Sequence, residues 1–189
     1  MTASRAAIAV RAQQILAGRP LFLDTETTGL DPRAEIVEIA IIDHDGSMLL
    51  ESLVKPTRRT PRDAVRVHGI DDRMVADAPS WADLWPQVQG ILSGRRVGIY
   101  NAEFDLRMIQ QSHIAHRITN GRAGSRAFCI MKLYAEFYGE RNRRYGGYRW
   151  QSLDKAARQC GIDLPNSHRA GDDAQLARAV LRFMAGIGG

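Results

Sequence analysis

Cysteine is nearly absent: Cys129 and Cys160 are the only two among 189 residues, and neither stands in a CxxC or Cys/His spacing. That excludes a disulfide framework and a thiolate zinc site, and both thiols read as reduced core residues. Long apolar runs are missing too, since no stretch approaches the roughly 18 residues of a membrane-spanning helix. The opening MTASRAAIAVRAQQILAGRP sets Arg5 and Arg11 around an apolar run too short for a signal-peptide core. A cytoplasmic location is the expectation. Repeats, low-complexity tracts and linkers are lacking as well, so nothing divides the chain.

What is present is ordinary for a globular protein, with 44% hydrophobic and 25% charged residues. A chain of 189 residues fits one full core and would cramp two. The expected organisation is a single domain over residues 1–189, with a core from about 19 to about 184. Lys and Arg number 26 against 21 Asp and Glu, a net charge of +5 that is compatible with a polyanionic partner.

Apolar spacing predicts an amphipathic helix over about residues 4–17, closed by Gly18 and Pro20. Three strand-like runs follow: LFLDTE, EIVEIAIIDHDG and MLLESLVKP. DHDG is hairpin chemistry, which makes the second and third antiparallel. Between Pro61 and Pro86 the pattern is irregular and polar, with short helical stretches around WADLWPQVQGIL. A fourth strand, RVGIYN, runs into a helix, EFDLRMIQQSHIA, and a fifth, RAFCI, precedes MKLYAEFYG. After a basic loop come two helices, SLDKAARQCG and AGDDAQLARAVLRFMAG. Strands interleaved with helices make an α/β layer architecture.

The first strand ends in DTETTG. Side chains alternate along a strand, so Asp24 and Glu26 share a face while Thr25 looks away. Two acids aimed at one point resist ionising unless a cation lies between them. Alone, the pair reads equally as acids reaching solvent. In YNAEFDL, Asp105 occupies the first turn of a helix after a strand, where ligands of open α/β sheets gather and where an acid also suits the helix dipole. His168 and Asp173 are five residues apart in HRAGDDAQ. On one helix that spacing separates them by about 140°. They converge only if His168 lies on the preceding loop, which Pro165, Asn166 and Ser167 supply with turn and capping chemistry.

Taken together, FLDTETTGLDP, EIVEIAIID, VHGI, YNAEFD, QSLDKAARQCGI and HRAGDDA resemble the DEDDh 3′–5′ exonucleases, the DnaQ-like group with a ribonuclease H-like fold. The stretches stand in the family's order from about residue 21 to about residue 181. The resemblance implies a five-stranded mixed sheet, its second strand antiparallel, flanked by helices. It implies two divalent cations, Mg²⁺ or Mn²⁺, with Asp24, Glu26 and Asp173 holding the first and Asp24 bridging to a second supported by Asp105. His168 would be the general base, and nucleoside 5′-monophosphates would leave the 3′ end of single-stranded DNA. The resemblance also sets the terminal nucleotide against Thr27, Gly29 and Leu30, with His68 and Phe104 packing on bases and Asn101 fixing the loop. An exoribonuclease of the RNase T or oligoribonuclease type is the alternative within the family. A non-catalytic nucleic-acid-binding module would have no chemical need for all five residues. A polymerase partner and a homodimer both stay open.

Two positions depart from the family pattern, Tyr100 where His is frequent and Gly171 where Leu is frequent. Glycine in a helix costs about 1 kcal/mol against alanine, so Gly171 is expected to loosen the turn that orients Asp173. One further segment stands outside the motifs. In residues 136–150, EFYGERNRRYGGYRW, the cations Arg141, Arg143, Arg144 and Arg149, with nearby Lys132, surround Tyr138, Tyr145, Tyr148 and Trp150. Gly146 and Gly147 argue against a helix there. Such a segment either grips a single strand or packs its aromatics back on the domain.

Overall fold

The computed structural model describes residues 4–119, 126–165 and 167–187. Five strands, β1 (Leu21–Thr27), β2 (Ile36–Ile42), β3 (Met48–Leu53), β4 (Val97–Ile99) and β5 (Ala127–Cys129), form one sheet in the order β3-β2-β1-β4-β5. β2 pairs antiparallel with both β1 and β3, whereas β1, β4 and β5 run parallel. The turn into β3 is closed by the Asp43 amide donating to the Ser47 carbonyl at 2.8 Å, with Gly46 in the left-handed region at φ 98°. The described helices are α1 (Arg5–Ala17), α2 (Arg62–His68), α3 (Trp81–Leu92), α4 (Ala102–Ala115), α5 (Ile130–Tyr138), α6 (Leu153–Cys160) and α7 (Ala170–Met184). No described helix is long and apolar enough to cross a membrane.

Alternation along β1 divides the core in two. Phe22 joins Ile42 and the helices α1, α5 and α7 on one face. Leu21 and Leu23 join α3 and α4 on the other. β2 is buried on both faces along its whole length. Its large aliphatic side chains each contribute about 1.5–3 kcal/mol on full burial, and against that background one acid, Glu38, is taken inside.

The fourth and fifth strands are shorter than their sequence runs, because the chain turns into α4 and α5 at once. α3 is one continuous helix although Pro86 lies inside it, replacing the short stretches expected there. Burial of Trp81, Leu84, Trp85 and Val88 outweighs the backbone bond that the proline removes. Because β1 and β4 are parallel, their ends meet on one side, where α4 begins and where α7 packs across β1 and β2.

Candidate active site

Asp24 and Glu26 project from β1 toward the α7 face, the face on which Phe22 is buried. Asp173, in the first turn of α7, meets them there. Each of the three offers a carboxylate oxygen within 4.8 Å of the others. Asp105 arrives from the opposite layer, on the first turn of α4, and is buried. The Thr25 hydroxyl donates to its Oδ1 at 2.8 Å. Thus the residue that alternation turns away from Asp24 and Glu26 is the one that holds the fourth acid.

Crowding and burial leave these carboxyls reluctant to ionise. Burial, reinforced by Asp105, Asp173 and Glu26, raises Asp24 well above the usual carboxylate range. Burial and then repulsion from Asp173 and Glu38 push Glu26 up to about 8. Burial takes Asp105 up to about 7 against the Thr25 hydrogen bond, and takes Asp173 up to about 6 against the pull of His168. Asp173 Oδ1 is buried and has no hydrogen-bond partner among the described residues. An oxygen-only donor set with an orphaned acceptor fits a hard divalent cation better than zinc. A second convergence, Asp43, His44 and Asp45, is already satisfied: Asp43 pairs with Arg95 at 2.5 Å and Asp45 accepts from Ser47 at 2.7 Å.

The entry to α7 is braced by a residue the sequence did not single out. Glu38, 1% exposed, takes both nitrogens of an Arg169 fork and the Ala170 amide, the latter at 2.9 Å. Arg169, the N-cap, makes no side-chain capping bond, so the carboxylate of β2 caps this helix from across the sheet. His168 lies just before it, exposed, on the loop the sequence required, with its backbone in the left-handed region at φ 52°. Asn166, part of the expected turn, lies outside the described residues. The Ser167 hydroxyl donates to Asp172, and the Asp173 amide to the Arg169 carbonyl at 3.0 Å. The first turn of α7 is thus closed with Gly171 in it. A Cβ at Gly171 would meet the Glu51 carboxylate and, at 3.2 Å, Met48 Cε, the exposed ends of two β3 side chains.

The residues expected around a terminal nucleotide are placed unequally. Leu30 is 78% exposed, and Gly29 before it has φ 150°, a region that favours glycine. Thr27 is buried and spends its hydroxyl on the Gly29 carbonyl at 2.8 Å. His68 is buried with both nitrogens engaged, at 3.1 Å to the Thr27 carbonyl and at 3.0 Å from the Ile70 amide. It braces the end of β1 from within. Phe104 is half-buried beneath Arg107, whose guanidinium lies 5.4 Å from the ring centre. Asn101 is the N-cap of α4, yet it contributes its carbonyl and no side-chain bond. Tyr100 is buried, and its hydroxyl donates to the Gln151 carbonyl at 3.0 Å. The departure at Tyr100 thereby ties β4 to the segment before α6.

Similarity to known proteins agrees with this geometry. The sequence profile of the RNase T family, described as an exonuclease, matches residues 21–181. An uncharacterised exonuclease, CP81 of Escherichia phage 186, is 38% identical over 98% of this chain and 97% of its own. A PolC-type DNA polymerase III of Thermotoga maritima is 29% identical over 86% of this chain, which spans 12% of that polymerase. Among solved structures, exonuclease X in complex with 5′-overhanging duplex DNA superposes with a TM-score of 0.65 at 27% identity, covering 87% of this chain and 90% of that one. A ribonuclease H-like sheet, a cluster of acids at the end of its central strand and a family match across most of the chain converge on one conclusion: the chain belongs to the RNase T, DnaQ-like family of exonucleases.

Proposed function

We propose that this exonuclease is metal-dependent and works in the 3′–5′ direction on single-stranded DNA, releasing nucleoside 5′-monophosphates. The observation that carries the reading is the acid cluster, in which Asp173 Oδ1 is buried unpartnered beside Asp24 and Glu26. Divalent cations, Mg²⁺ or Mn²⁺, would supply the positive charge that an attacking water, a leaving oxygen and four carboxylates all require. Asp24, Glu26 and Asp173 would hold one, and Asp24 with Asp105 a second. His168, exposed on its braced loop, takes the proton of the attacking water as a neutral imidazole. Leu30 and Phe104 present apolar surface to the last base, and Gly29 admits the backbone of the strand. That exonuclease X is seen on DNA supports DNA as the polymer. The likeness to a stretch of a PolC-type polymerase supports a second mode, action beside a polymerase.

The test is a gel assay with single-stranded DNA, duplex DNA and RNA, each labelled at either end, in Mg²⁺, Mn²⁺ or EDTA. A 5′ label should give a descending ladder and a 3′ label an immediate mononucleotide, both abolished by EDTA. Activity that survives EDTA, or a ladder from the 3′ label, would overturn the reading. Faster turnover of RNA would replace DNA with the exoribonuclease alternative.

A further inference from the structure

Between α5 and α6 the basic segment folds back on itself. The Arg149 amide donates to the Glu140 carbonyl at 2.8 Å, Arg141 bridges antiparallel to Tyr148, and the Asn142 amide donates to the Gly147 carbonyl at 3.1 Å. The tip is built by Asn142 Oδ1, which accepts the Arg144 and Tyr145 amides at 3.2 and 3.1 Å. Gly146 and Gly147 complete it at φ 73° and 68°, values that favour glycine. Residues 140–149 hold four arginines and one glutamate, a net +3 of the +5 carried by the whole chain. The hairpin is therefore a basic patch.

Two of its aromatics stand in solvent, while Tyr148 is half-buried and Tyr138, before the hairpin, stacks on Tyr134. Tyr145 is 76% exposed and Trp150, at the root, is 57% exposed. A cation accompanies each ring: Arg144 lies 5.1 Å from the Tyr145 centre, Arg141 5.0 Å from Tyr148 and Lys132 5.7 Å from Trp150. The root is tied to the β4–α4 corner from which Asp105 comes. Buried Gln151 donates to Glu140 at 3.0 Å and its carbonyl accepts from Tyr100 at the end of β4. Lys132 pairs with Glu103, two residues before Asp105 in the first turn of α4.

We infer that this hairpin is a binding arm for single-stranded nucleic acid, engaging nucleotides upstream of the 3′ terminal one; the placement rests on the acid cluster being the cleavage site. Exposed flat rings need unstacked bases, which a single strand offers and a duplex keeps stacked and paired. Neighbouring guanidiniums take the phosphates between those bases. An acidic polypeptide would satisfy the arginines and leave Tyr145 and Trp150 without a partner.

The test is equilibrium binding of a labelled thymidine 12-mer in EDTA across a salt series, with KM for 3-mer and 12-mer substrates in Mg²⁺ measured beside it. Tyr145→Ala with Trp150→Ala should weaken 12-mer binding by about 10- to 100-fold with an unchanged salt slope, and the two Phe replacements should restore it. Arg143→Ala with Arg144→Ala should weaken it by about tenfold and reduce the slope by about 1.4, two phosphates' worth. In both, the KM advantage of the 12-mer over the 3-mer should shrink. Unmoved affinity and slope in both pairs would overturn the inference while the nuclease ladder stands. Equal losses on duplex DNA would also overturn it. So would an effect of the arginine pair alone that polyglutamate abolishes in competition, since that describes an acidic partner. If no ladder appears in any metal, the binding series in EDTA still decides the arm.

Discussion

The acid cluster at the end of β1 and the basic hairpin at 140–149 both gather like charges, under opposite physical conditions. In the cluster, carboxylates lie within 4.8 Å of one another and out of full contact with water, so burial raises all of them and Asp173 adds its repulsion to Asp24 and Glu26. The repulsion is sustained by the rest of the fold: Thr25 holds Asp105, and Glu38 with Arg169 holds the start of α7. In the hairpin, the arginines stand in solvent, where water and salt screen them and nearby rings accept them. A buried concentration of charge waits for a counter-ion or a proton, whereas an exposed one waits only for a partner. The first is a site for chemistry and the second a site for encounter.

The sharpest way to break the contrast is Asp24→Asn. Turnover should fall by about 10³-fold or more, because metal holding and charge stabilisation go together. Yet the metal-free protein should melt at a higher temperature than wild type, since one of the repelling charges is gone. A lower melting temperature in EDTA would mean that the carboxylates do not strain the fold.

His168→Ala should cost roughly 10²- to 10⁴-fold in kcat as the loss of a general base, with Mn²⁺ binding by calorimetry retained. Glu38→Gln leaves His168 unsubstituted but releases its loop, so its loss in kcat should be at the low end of that range, about 10²-fold, the size produced by misplacing a reacting group by about 1 Å. That variant should also lose about 2 kcal/mol of stability, because part of a buried hydrogen-bonded pair is left uncompensated. Equal losses of kcat in the two variants would show that the brace and the base are inseparable.

The pH dependence of stability follows from the raised carboxyls. In the unfolded chain they release protons near their ordinary values, about 4. Folded Asp173, Asp105 and Glu26 keep theirs up to about 6, 7 and 8. Through this window the folded state binds more protons, so metal-free stability should fall as pH rises from about 4 to about 8. Saturating Mg²⁺ should remove most of that fall, as read by chemical denaturation. A profile in EDTA that rises with pH would contradict the crowding. The smallest effect belongs to the hairpin: Arg143→Ala with Arg144→Ala should change stability by no more than about 0.5 kcal/mol at any of these pH values.

Much of this was legible from neighbouring residues alone. The period of two placed Asp24 and Glu26 on one face, and five residues of helix geometry required His168 to sit on a loop before α7. The strands, their hairpin and the order of the acids were equally local signals, and so was the family resemblance they compose. Other features belong to no local pattern. Glu38 and Arg169 are separated by 131 residues, and nothing in EIVEIAII says that its second acid will cap a helix from the far end of the chain. Thr25 reads as turned away until the layer carrying α4 brings Asp105 to it. Nothing around VHGI says that His68 will meet the Thr27 carbonyl, 41 residues back. Nothing local to Gly171 says that Glu51 and Met48 of β3 will lie beside it. Sequence by itself settled what propagates along the chain, because dihedral preference and alternation act between neighbours. Only the tertiary structure decided which distant groups share a buried space, because desolvation and close contact exist once the layers have packed.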